Sequence, residues 1–166
     1  MQDQQQINET ISVHQGTHQA DRLRVNGELR IVITDRAGRV QCDLVTNLVV
    51  ATGRNHIADQ MSGKSDGQMS HMALGTSTTA ADYSDTALGV EIARVAVTPA
   101  QGSAPNLNQV VYVGDFPPGT GTGVITEAGI FNAGSSGVML CRSVFNAKDK
   151  GASDSMTITW TLTFSS

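Results

Sequence analysis

Residues 156–164 alternate without a break. Met156, Ile158, Trp160, Leu162 and Phe164 fall on one side, and Thr157, Thr159, Thr161 and Thr163 on the other. Successive side chains of a strand point to opposite faces, so this period demands a β-strand with one buried and one wet side. The five apolar residues are therefore expected core, each contributing roughly 1.5–3 kcal/mol on burial before entropy is subtracted. Threonine suits the wet side because its branched Cβ sits well on a pleated surface. Residues 156–164 are thus expected to form a core strand and not a tail.

Strand signals recur upstream. Residues 22–50 read as paired strands with two turns, one at Asn26-Gly27 and one at residues 35–38 (DRAG). An Asn-Gly pair tolerates the positive φ values of a two-residue hairpin. Leu23 and Val25, then Leu29, Ile31 and Ile33, keep a period of two, while Val32 interrupts the polar side and suggests that this outer face is partly covered. Residues 53–61 (GRNHIADQM) predict the one helix, with Ile57, Ala58 and Met61 on one face and Ser62-Gly63 as its stop. Further strands are expected at 70–75, 91–98, 109–116, 123–132, 138–146 and 155–165, separated by turns rich in Gly, Pro, Ser and Asp. Strands at this spacing predict an all-β fold, an antiparallel β-sandwich or flattened barrel with one short helix.

The first twenty residues differ from the rest. They are glutamine-rich, with Ile7, Ile11 and Val13 as apolar anchors, and cannot bury enough surface to order themselves. Residues 1–20 are thus expected to be an extended arm, and residues 21–166 the sandwich. The even spacing of Ile7, Ile11 and Val13 places all three on one face of an extended strand, suited to adding to a neighbour's sheet edge in an assembly.

Charge and cysteine content exclude several functions. Charged residues make up 16% of the chain, against ~25% in ordinary soluble domains, and the net charge is −4. That is no surface for nucleic acid, which needs clustered Lys and Arg. Cys42 and Cys141 match no metal or redox spacing and read as free, small apolar fillers. No stretch is apolar and long enough to span a membrane, and the polar MQDQQQINET start is no signal peptide. The expectation is a soluble protein made inside a cell.

Motifs with chemical overtones read structurally. GTGTG at residues 119–123 lacks the Lys and the following helix of a phosphate loop, so its glycines serve a turn. Glu127, a lone carboxylate in the apolar ITEAGIF, is expected to pair with an arginine, Arg94 or Arg142, between strands or between subunits. It has no partner acid, nucleophile or metal set for catalysis. His14, His18, His56 and His71 form no zinc shell. Asp82 and Asp85 lack calcium-loop spacing and suit a crossover loop. No enzyme, cofactor or metal site is expected. Aromatics are scarce at 4%, Trp160 has core parity, and only Tyr83 and Tyr112 are candidate exposed rings, which disfavours a glycan-binding platform.

Six co-linear strings carry a resemblance: NLVVATGRNHIADQM (47–61), HMALGTSTTAADYSDTALGVEIARVAV (71–97), NQVVYVGDF (108–116), GTGTGVITEAGIFNA (119–133), GVMLCRSVF (137–145) and KGASDSMTITWTLTF (150–164). In this order they resemble small bacteriophage virion structural proteins of the tail-fibre-like or accessory kind, over roughly residues 45–166. The resemblance implies a virion component assembled in the host cytoplasm, with a tail- or neck-associated fibre or collar part as first expectation. A capsid decoration protein is the close alternative, and a receptor-binding fibre tip a further one. Its implied partners are copies of itself, as a trimer or ring, and other virion proteins; a host surface glycan is the less favoured partner.

Overall fold

The computed structural model describes residues 22–64 and 66–166. Two five-stranded antiparallel sheets pack face to face as a β-sandwich with one helix. In chain order the elements are β1 (Arg24–Thr34), β2 (Val40–Thr46), β3 (Leu48–Val49), α1 (Ala51–Met61), β4 (His71–Gly75) and β5 (Glu91–Ala96). Then follow β6 (Ala100–Gln101), β7 (Gln109–Phe116), β8 (Gly123–Phe131), β9 (Met139–Lys150) and β10 (Ser155–Ser165). One sheet has the order β2-β1-β10-β7-β6 and the other β3-β9-β8-β4-β5. The expected arm, with Ile7, Ile11 and Val13, lies outside the described residues.

The alternating C-terminal strand is central. β10 pairs with β1 along its whole length, from Val25 opposite Phe164 to Ile33 opposite Met156, and with β7 on its other side. Met156, Ile158, Trp160 and Leu162 are buried against Leu29, Ile31, Tyr112 and Phe116 of the same sheet and Met72, Leu74, Ile125 and Ile130 of the facing one. Phe164 departs from the expectation: it is only half-buried, because the second layer stops short of this end of β10 and leaves a cleft.

Three local expectations fail for tertiary reasons. Asn26-Gly27 forms no hairpin; β1 runs straight through it, with Asn26 opposite Thr163 and Gly27 opposite Leu162. Gly27 is needed for closeness instead, since a Cβ there would overlap the Asn47 side chain. The hairpin lies at the second turn, where Asp35 Oδ1 accepts the N–H groups of Ala37 and Arg39, an Asx-type closure. The helix starts two residues early and buries Gly53 and His56, with Ile57 against the core. Ala58 and Met61, expected on the buried face, are exposed. Its orientation is set by β9: a Cβ on Gly53 would overlap the Leu140 carbonyl, and Thr52 Oγ1 donates to Met139 O at 2.9 Å. Cys42 is exposed and is no filler, whereas Cys141 is buried and burial pushes its thiol pKa well up.

The outer faces of the two sheets are unequal. On the β3-β9-β8-β4-β5 sheet, residues 76–90 fold over the surface and bury a second small core of Val50, Ala73, Leu88, Phe131 and Met139. Nothing among the described residues covers the outer face of the other sheet in this way. Its cross-strand rows, set by the register, read Cys42–Val32–Thr157–Asp115, Leu44–Arg30–Thr159–Val113 and Thr46–Glu28–Thr161–Val111.

Candidate functional site

Glu127 and Arg142 stand on neighbouring strands β8 and β9, and both are buried, at 0% and 2% exposure. Arg142 Nε and Nη2 donate to Glu127 Oε2 at 2.9 and 2.8 Å. The same carboxylate accepts three backbone N–H groups: Ser77 (3.1 Å) and Val90 (2.9 Å) on Oε1, and Gly89 (3.0 Å) on Oε2. Arg142 also donates to Asp85 Oδ2 at 2.7 Å and to the carbonyls of Thr79 and Ala80. Burial by itself would lower the guanidinium pKa, but the hydrogen bonds to Asp85 and Glu127 outweigh it and raise the pKa. The group is a strut that pins both ends of residues 76–90 to the sheet.

This arrangement leaves no catalytic opening. Both Glu127 oxygens are occupied by donors, so the carboxylate has no free position for a substrate proton. The pair lies within one chain, between strands. Arg94, the other expected partner, sits elsewhere: it grips Glu91 through a two-pronged contact (2.8 and 2.6 Å), donates to the carbonyls of Ala133 and Ser136, and stacks 3.8 Å from the Phe131 ring centre. Asp85 was legible only as a loop former. Its oxygen on Arg142, and Asp82's oxygen on the Ser84 N–H and hydroxyl, leave the pair with local roles. Among the described residues no three His, Cys, Asp or Glu side chains could hold a metal together.

The GTGTG loop behaves as its glycines suggest. Gly119, Gly121 and Gly123 all have φ between +63° and +135°. Gly119 N–H donates to Ala152 O, and the buried Lys150 ammonium donates to Pro117 O (3.1 Å) and Asp154 O (2.7 Å). Burial lowers the Lys150 pKa. Sequence reasoning missed this lysine, because a Lys at a strand end ordinarily reads as solvated.

Two surfaces remain for binding. The bare face described above is threonine-rich, with a hollow at Asn26, Glu28, Thr46, Thr161 and Thr163, and edge strand β2 adds exposed Val40 (61%) and Leu44 (57%). The second is a cleft of about 300 Å³ between α1 and the open end of the sandwich, lined by His56, Ile57, Met61, Val110, Leu162 and Phe164 among others. His56 is 4% exposed, and its Nδ1 has no hydrogen-bond partner among the described residues. Tyr112, expected as an exposed ring, is buried in this wall; Tyr83 is half exposed beneath Arg54.

Burial raises the Tyr112 phenol pKa from 10.0 to about 12. A raised folded-state pKa means stability present below pH 10 and lost as pH rises from 10 through about 12. An ultraviolet phenolate titration should therefore show a step near pH 12 that disappears in Tyr112→Phe. Ionisation of that tyrosine near pH 10 in the folded protein would show the wall to be open to water.

Compared with known proteins, the chain matches no family model, and no curated protein or solved structure matches it significantly.

Proposed function

We propose that the protein is a structural component of a bacteriophage virion, a fibre or collar part of the tail or neck that self-associates through its sandwich and docks by its N-terminal arm. The observation that carries self-association is the uncovered sheet face. Its central strand presents Thr157, Thr159, Thr161 and Thr163, flanked by Val32, Val111 and Val113 and edged by Leu44 and Val40. Such a face is cheap to bury. Threonine and valine have little rotamer freedom to lose, whereas a lysine or glutamate face would lose far more. The charges present, Arg24, Glu28, Arg30 and Asp115, are few and of both signs. Virion membership rests on the sequence resemblance. A receptor tip is less favoured, because Tyr112 and Trp160 are both buried.

Replacing Thr159 with glutamate and Val113 with lysine, which alternates charge along the Arg30–Thr159–Val113 row, should abolish self-association in light scattering while leaving stability within ~1 kcal/mol. A double variant that still associates normally would move the interface elsewhere. Counting copies on purified particles tests location: a few to a dozen supports tail or neck, whereas hundreds would make it a capsid decoration protein. Absence from the particles would overturn the virion reading.

A further inference from the structure

The cleft beside α1 offers apolar wall without an apolar occupant among the described residues. Ile57, Met61, Val110, Leu162 and Phe164 line it, with the Gln60 and Gln68 amides as its polar members beside His56. Its volume of about 300 Å³ is roughly twice the ~150 Å³ cavity that holds a benzene molecule in an engineered protein core. Two branched aliphatic side chains would fill it.

We propose that this cleft is the seat of the chain's own N-terminal segment, with Ile11 and Val13 as the residues that enter it. Three observations select this occupant. The described chain begins at the edge of the cleft: Val25 pairs with Phe164, and Leu23 and Val25 line an adjoining hollow with Arg54 and Ile57, so Phe164 and Ile57 border both the cleft and the start of β1. The reach suffices, because Val13 stands twelve residues before Val25 and an extended chain spans ~3.3–3.6 Å per residue. The composition matches, since residues 1–20 hold three branched aliphatic side chains that share a face when extended, of which Ile11 and Val13 are the nearest to β1. A peptide also brings backbone hydrogen-bonding groups to a wall that includes two amides, which a hydrocarbon ligand does not. Tethering supplies an effective concentration in the millimolar range, which favours the chain's own segment over that of a second copy. The inference concerns the free protein and stands apart from the particle role; the segment would be held here until a neighbouring surface competes for it.

Disulfide trapping of the full chain at low concentration tests it. Met61 is 82% exposed on the cleft rim, so Met61→Cys leaves the fold intact, and it is combined with Val13→Cys. The native Cys42, exposed on β2, serves as a built-in decoy. Under mild oxidation the bond joining positions 13 and 61 should form within monomers, at a rate independent of protein concentration and at least tenfold faster than the bond joining 13 and 42. Adding Ile11→Asp should slow it about tenfold. Equal trapping at position 42, no trapping at 61, or no effect of Ile11→Asp overturns the proposal. Trapping that gives mainly dimers overturns it in favour of a second copy's segment. Because the readout uses isolated protein, none of these outcomes bears on virion membership.

Discussion

Replacing Arg142 with methionine should destabilise the domain by about 3–5 kcal/mol, the usual cost of leaving one member of a buried ion pair behind. Glu127, fully buried, would lose its cation, and Asp85 and the Thr79 and Ala80 carbonyls would lose their donor. Denaturant unfolding measures the loss. The second substitution separates charge from scaffolding. Glu127→Gln added to Arg142→Met removes the stranded charge and keeps a side-chain oxygen for the backbone N–H groups of Ser77 and Val90, although its amide NH2 then faces the Gly89 N–H. It should recover roughly 1–3 kcal/mol. Glu127→Met added instead should recover less, since it orphans those N–H groups. If Arg142→Met costs under 1 kcal/mol, the strut is not what holds residues 76–90 in place.

Trp160→Ala should cost about 3–5 kcal/mol, the range for deleting a buried aromatic side chain. Trp160 is 0% exposed between Leu29 of β1 and Tyr112 of β7, so its removal opens a void that the two sheets cannot close without shifting register. One detail qualifies the shape of the effect. The indole Nε1 is buried without a partner among the described residues, a polar group whose burial carries a penalty of ~1–3 kcal/mol. Trp160→Phe removes that N–H along with part of the ring, so it should cost clearly less than Trp160→Ala. Urea unfolding of both variants tests the pair. Equal losses would mean that filling the space between Leu29 and Tyr112 is not what Trp160 contributes.

Strand periodicity was the most reliable signal in this chain. The predicted strand at 109–116 matches the bounds of β7, and that at 155–165 the bounds of β10, because burial of one face imposes the alternation residue by residue. The Asn26-Gly27 turn signal failed at the same level of inspection. Local backbone permissiveness says where a turn is allowed, but eleven residues of pairing with β10 outweighed it. The helix was visible, whereas its buried face was not: Gly53 faces Leu140 because a small residue lets the helix approach β9, a criterion that a search for apolar spacing does not contain. Of the site residues, Glu127 stood out as a charge among apolar neighbours. Its partner was narrowed to two arginines, and only the offset of β8 against β9, which sets Arg142 opposite Gly129, selected between them.

By itself the sequence determined the class of fold, the central C-terminal strand with Trp160 on its buried side, and the loop role of GTGTG, since each follows from period or backbone freedom within a few residues. Tertiary structure alone decided which sheet face is covered. Residues 76–90 are mostly polar and turn-rich, and one apolar anchor, Leu88, does not by itself say that they cross over Phe131. Buried charges on β8 and β9 do so by gathering N–H and carbonyl groups from across that loop. The cleft at Phe164 has the same origin, for a side chain with perfect core parity stays half exposed where the opposing layer ends. Alternation tells a side chain which way to point; only the packed partner determines whether anything is there.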